Sequence, residues 1–417
     1  MEQDRPLTLA LVEEYLLTES PVIIQSTEQA LHADTRKNGY LGATANLLRS
    51  KAKVLASSPP DIYYQSLAVG LAEMGCLLAS QEAWSQQEEQ VVCPEVDTAG
   101  IQNLTAIDAK AQIVAQAENH QIILINEAHH VPTHRRFTAS LLKDLYQLGY
   151  RYLAAETMIH GRVKALNERK YPLKDSGTYT LEPQYGDLIR QALALGFEIV
   201  AYDANIGGNY SQRDSVQARN ILTILERDSS AKILVHAGYG HIFEDTRNEW
   251  VKMGMYIRRL SGINPLTIDQ TRFLRGEGQC YCNRLIAKYN PTSPTVWLTE
   301  SGAVWTLPDL SSFVDIQVLH PQPERHNGRL LGVISDDKKI INLAAHENLN
   351  GKTTLVQCFL RNEFVLENNT QVLIPVDQFL KSPQQRNTPL LIPSGSFVVQ
   401  WVSPSQEVLH THELIGF

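Results

Sequence analysis

Nine consecutive residues, Asn126 to His134, carry one carboxylate and three imidazoles: Glu127, His129, His130 and His134. Groups of these two types do two kinds of chemistry. They can hold a divalent metal ion that makes hydroxide available near neutral pH, or an imidazole backed by a carboxylate can take a proton from water directly. The same residue types recur at three later points: Glu156, Asp203, and the run His236-Ala-Gly-Tyr-Gly-His241. Manganese suits a mixed carboxylate and imidazole set, and zinc or iron is compatible with it. On the metal reading Glu127, His129, Glu156 and His241 are the principal ligands or water activators, with Asp203 and His236 as further ligands. Without a metal, His129 is the general base, polarised by Glu127 or Glu156, and Arg213 or His241 stabilises the oxyanion.

These groups share a context. Each follows a short apolar run of strand length: Ile122 to Ile125, Tyr152 to Ala155, Glu198 to Tyr202, and Lys232 to Val235. Between the first two runs, Phe137, Leu141, Leu142, Leu145 and Leu148 fall at helical spacing, after Pro132 and a Thr133 hydroxyl placed to cap the free amides. A helix from Tyr185 to Leu195 stops at Gly196, and another runs from Gln212-Arg213-Asp214 to Leu225. This alternation is the α/β pattern: a mainly parallel central sheet flanked by helices. In open parallel sheets ligands gather beyond the carboxyl ends of the strands. Four polar strand ends are therefore expected to line one pocket. Arg213 and Asp214 also read as charges favouring a helix start, and His134 as a helix-surface residue. The connection Ile159 to Gly186 exceeds an ordinary loop and is expected to form a lid or recognition segment.

Flanking regions differ in pattern. Residues 1–92 read as helices, with apolar period near 3.6 over Leu7–Leu17, Tyr40–Leu55 and Ile62–Leu78, and a polar linker over Glu82–Gln90. Such a preface suits docking or a homodimer. Residues 93–290 form the α/β unit. Residues 291–417 read as a sheet extension and a small β-rich module, with strands at Thr295–Leu298, Val314–Leu319, Leu330–Ile334, Thr354–Phe359 and Ser396–Val402. His410 and His412 alternate as on a solvated strand face. A net charge of −8 argues against nucleic acid or an anionic membrane as partner. The acidic start, the absence of a long apolar run and five scattered cysteines point to a cytoplasmic chain with ordinary thiols, Cys280 and Cys282 among them.

The E-x-H of Glu127 and His129, Pro132-x-His134, Glu156, and the G-x-G-H of Gly238, Gly240 and His241 resemble the erythromycin esterase-like and Tiki/ChaN-like haem-binding uptake superfamily. Arg213-Asp214 resembles the erythromycin esterase pattern, and the likeness spans residues 105–270, with Asn126 where the family usually has Gly. The resemblance implies hydrolysis of a peptide or small molecule. Its peptide arginase branch implies a metal-dependent enzyme that converts peptidyl-arginine to ornithine and urea, with Glu168, Asp175 and Asp187 available to neutralise the guanidinium. Its esterase branch implies an ester or lactone substrate and no metal. Its haem-uptake branch implies a binding protein, with Tyr239, His236 or His130 as axial ligand.

Overall fold

The computed structural model describes residues 6–20, 35–87, 93, 99–204, 210–244, 250–274, 276–331, 338–344 and 346–416. Helices open the chain: α1 (Leu9–Glu19), α2 (Thr35–Arg49, kinked at Gly39), α3 (Pro60–Glu73) and α4 (Leu77–Ser85). The period over Ile62–Leu78 suggests one helix, but Gly75 breaks it into two. Gly75 adopts φ +67°, and its α-carbon lies against the backbone of Gln378, where a side chain would collide. The boundary expected at residue 92 lies outside the described residues.

The central unit runs β1 (Thr105–Asp108), α5 (Ala109–Ala117), β2 (Ile122–Glu127), α6 (Pro132–Gln147), β3 (Tyr150–Ala155), α7 (His160–Arg169), α8 (Pro183–Leu195), β4 (Glu198–Ala201), α9 (Tyr210–Arg227), β5 (Lys232–Gly238), α10 (Met253–Ser261), β6 (Leu266–Asp269) and α11 (Gly276–Tyr289). β7 (Thr295–Leu298) and β8 (Val304–Trp305) pair beside β1, while β9 (Ile316–Gln317) closes the main sheet. That sheet has the order β4-β3-β5-β2-β6-β9, and every pairing in it is parallel. All six residues of β2 are buried, because helices cover both faces. β5 lies between β3 and β2, so Gly238 at its end stands beside Glu127 and its His236 beside Ala155.

The C-terminal residues add β10 (Glu324–His326), β11 (Arg329–Leu331), β12 (Lys338–Ala344), β13 (Thr354–Leu360), a short helix α12 (Arg361–Glu367), β14 (Asp377–Lys381), β15 (Asn387–Pro393), β16 (Phe397–Val402) and β17 (Val408–Leu414). Four of these strands form an antiparallel sheet ordered β14-β13-β16-β17. The expected strand Leu330–Ile334 is described only to Leu331.

The three regions pack on one another. Leu355 and Leu380 of the C-terminal sheet and Leu181 of the central unit join the apolar cluster of the N-terminal helices. Buried ion pairs Arg190–Glu363 at 2.7 Å and Lys338–Asp187 at 2.6 Å tie α8 to the C-terminal module.

One expectation is corrected here. Cys280 is not an ordinary thiol: it forms a disulfide with Cys93. The Ile159–Gly186 connection, expected to form a lid or recognition segment, is a packed element. It contains α7 and a packed turn at Tyr179–Leu181, whose Leu181 carbonyl accepts from Tyr40 of α2. Among the described residues no helix is long and apolar enough to cross a membrane.

Candidate active site

Glu127, the last residue of β2, is buried, and cationic or imidazole donors meet both its oxygens. Arg135 of α6 bonds it through Nε (2.6 Å) and Nη2 (2.7 Å), His129 Nδ1 lies at 2.9 Å and His236 Nε2 at 2.8 Å. Burial alone pushes such a carboxyl up; here the Arg135 charge and these hydrogen bonds outweigh it and hold Glu127 well below the usual range. Arg135 also reaches Glu182, the residue capping α8, at 2.9 Å. One buried guanidinium thus joins the ends of β2 and α8.

Glu156 follows β3 directly. Its Oε1 accepts from Arg213 at 2.9 Å and its Oε2 from the backbone N–H of Gly238. The approach requires glycine at 238: a Cβ there would lie 2.7 Å from His129 Nε2 and 2.9 Å from Glu156 Oε2. His129 is thus bonded to Glu127 through Nδ1, while its Nε2 shares the face of Gly238 with Glu156. Two residues at these strand ends, Thr157 (φ 60°) and Tyr239 (φ 44°), hold left-handed backbone that side chains other than glycine's adopt rarely. Tyr179 stacks on the His129 ring at 4.0 Å, and Tyr239 meets that ring edge-on at 4.8 Å.

His241 lies in the turn after β5 and forms a second pair. Its Nδ1 bonds Asp214 of α9, whose other oxygen accepts from the Trp250 indole N–H. Nε2 lies 4.0 Å from Glu156 Oε1 and 3.3 Å from Arg213 Nη1. A guanidinium only donates, so this geometry fits an imidazole with its proton on Nδ1 and its lone pair on Nε2. Burial pulls the His241 pKa down, but the Asp214 hydrogen bond and the Glu156 charge prevail and raise it. Asp203 beyond β4 binds Arg213 at 2.9 Å and Gln217 at 2.7 Å; burial raises its carboxyl, and these bonds more than reverse that.

Of the sequence-derived residues, Glu127, His129, Glu156, Arg213 and His241 come together at the carboxyl rim of the sheet. Asp203 joins through Arg213, and His236 through Glu127. The six proposed metal ligands do not form a donor shell. Among the described residues no group of three or more His, Cys, Asp or Glu side chains is arranged to hold a metal ion. The physical reason is that Arg135 and Arg213 already neutralise the carboxylates. The carboxylates assigned to a guanidinium substrate lie elsewhere: Asp187 pairs with Lys338, Asp175 with Arg162, and Glu168 lines a groove beside β4. His236 is fully buried and His130 stacks on Trp84 of α4 at 4.0 Å. His134 is buried too, its Nδ1 accepting the Ala128 N–H at 3.0 Å, and α6 has no side-chain cap from Thr133.

Sequence reasoning gave Arg135 no role and left Asp214 as a helix-start charge. Asp214 is fully buried. The only sequence signal was an acid next to an arginine at a helix start.

No protein-family model and no curated protein matches the chain. Similar solved structures include the type III effector HopBA1, at 13% identity and TM-score 0.31 over 41% of this chain and 87% of that one. RRSP, a MARTX toxin effector domain from Vibrio vulnificus CMCP6, gives 15% and 0.32 over 64% of this chain and 63% of its own, so less than two thirds of it is spanned. ChaN of Campylobacter jejuni, solved with cofacially bound haem, gives 11% and 0.27 over 41% of this chain and 91% of its own. These likenesses are remote, and the chemistry of the site rests on its own residues.

Proposed function

We propose that this chain is a hydrolase of carboxylic esters or amides, in the manner of the erythromycin esterase-like branch, and that it works without a metal ion. The observation carrying this reading is the pair of carboxylate-backed imidazoles, Glu127–His129 and Asp214–His241, that both lie beside Glu156. Hydrolysis needs a base for water and an acid for the leaving group. His241 takes the proton from water on Nε2, in place of the Arg213 contact, and passes positive charge towards Asp214. His241 returns that proton to the departing oxygen or nitrogen, while His129, held between Glu127 and the Gly238–Glu156 corner, fixes the geometry of the site. Glu156 orients both rings. Arg213 pairs with Glu156 and Asp203 and supplies positive charge where the oxyanion forms.

The ureohydrolase alternative needs carboxylates free to meet a substrate guanidinium. Arg135 and Arg213 occupy that role, which is why the ester or amide reading is preferred. The test is a panel of p-nitrophenyl esters and a peptide library read by mass spectrometry, with and without chelator. Turnover that survives chelation and disappears in His241→Asn supports the proposal. Activity abolished by chelation and restored by manganese sinks the metal-free part, and a mass loss confined to arginine side chains sinks the substrate class.

A further inference from the structure

A second polar cavity lies where the three regions meet, away from the imidazole pairs. Its volume is about 90 Å³, room for about three water molecules or one tetrahedral oxyanion. Its floor is the cross-strand pair Gln357 and Gln400 on β13 and β16. Thr35, Arg36 and Tyr40 of α2 line it from above, and Lys174 from the side.

Three features give this cavity a ligand preference. Lys174 is only 9% exposed and, among the described residues, forms no ion pair; its ammonium faces the Tyr40 ring at 5.0 Å. Burial depresses its pKa to about 8, with Glu73 as the opposing influence. Glu73 does not supply a full counter-charge, because burial lifts its own pKa to about 8. No carboxylate is among the described residues lining the cavity, so its charge is cationic. Lastly, Gln400 is 7% exposed and its Oε1 has no hydrogen-bond partner. An orphaned buried acceptor calls for a donor.

We propose that this cavity binds a protonated oxyanion, inorganic phosphate in its monohydrogen form. Its oxygens accept from Lys174, and its P–OH donates to Gln400 Oε1. Sulfate has the same shape and charge class but no proton to give at neutral pH, so the site discriminates against it. The site is coupled to the imidazoles by the chain itself. Arg36 holds the carbonyls of Lys174 (2.7 Å) and Gly177 (3.0 Å), and two residues later Tyr179 stacks on His129. An anion on Lys174 steadies that segment and with it the aromatic face of His129.

The test titrates phosphate, sulfate and glycerol phosphate into the full chain in an oxyanion-free buffer, reading the heat of binding and the unfolding midpoint. Saturable phosphate binding is expected, with sulfate about tenfold weaker, the size of one hydrogen bond to a buried group. Glycerol phosphate, whose phosphoryl group has mostly lost its last proton at neutral pH, should bind more weakly than phosphate; equal or tighter binding overturns the role of the P–OH. Lys174→Met removes binding. Gln400→Leu keeps part of it and erases the preference over sulfate. Wild-type protein without saturable phosphate binding, or Lys174→Met binding as well as wild type, overturns the proposal. His241→Asn should bind phosphate as wild type does, so this outcome and that of the hydrolase tests are read separately.

Discussion

The two imidazole–carboxylate pairs use the same groups in opposite settings. In Glu127–His129 the partners are two residues apart at one strand end and both are buried, with Arg135 fixing the charge of the acid. In Asp214–His241 the acid comes from α9, the base from the turn after β5, and the imidazole side chain is 12% exposed at the rim. A sealed charge clamped by a guanidinium has nowhere to send a proton, so the first pair sets geometry and field. The rim pair can exchange a proton with water. The guanidinium clamp on Glu127 separates an architectural dyad from a proton-transferring one.

Breaking the clamp should have the largest effect. Arg135→Met leaves Glu127 and Glu182 buried without their cation, and a loss of about 3–5 kcal/mol in urea unfolding is expected, together with all activity. An unfolding midpoint close to wild type would mean that the sealed pair does not depend on the clamp. His241→Asn is the converse: kcat should fall by about 10²–10⁴-fold, while the unfolding midpoint falls less than in Arg135→Met. Gly238→Ala sits between the pairs. The added methyl forces His129 and Glu156 apart, and a displacement of that scale should cost about 10²-fold in kcat/KM; circular dichroism should report an intact fold.

Smaller effects sharpen the contrast. A base whose pKa is raised is active only above that pKa, so kcat/KM should fall on the acid side with a midpoint above 6.5, the ordinary value for histidine. Asp214→Asn removes the main cause of the rise and should move that midpoint down. The same interaction stabilises the fold fully below pH 6.5, and this contribution is lost as pH rises through the raised value. A limb that stays put in Asp214→Asn assigns the proton to another group. Chelation should have the least effect: EDTA is expected to leave kcat unchanged, and a loss restored by manganese would return the metal reading.

Strand ends were readable because apolar runs of four to six residues stopping at Glu, Asp or His announce a buried sheet with a polar rim. That placed Glu127, Glu156 and His241 correctly without any distance. The partners were harder to read. Arg135 and Asp214 come from helices, where a charged residue in a polar stretch gives no sign of facing inward. Pairing bears on the metal reading too, since a sequence displays carboxylates but not the guanidiniums that pair with them. The N-terminal helices have ordinary amphipathic spacing, which says that one face is covered but not by what. Leu181, Leu355 and Leu380 cover part of it, drawn from far along the chain.

The Cys93–Cys280 bond closes a covalent ring across a separation of 187 residues, and every candidate site residue from Glu127 to His241 lies inside it. A protease that cuts once within the ring therefore releases nothing. The two pieces migrate together on a denaturing gel and come apart only when a thiol is added. Nicked chains of this protein would pass for intact ones in any preparation examined without reductant.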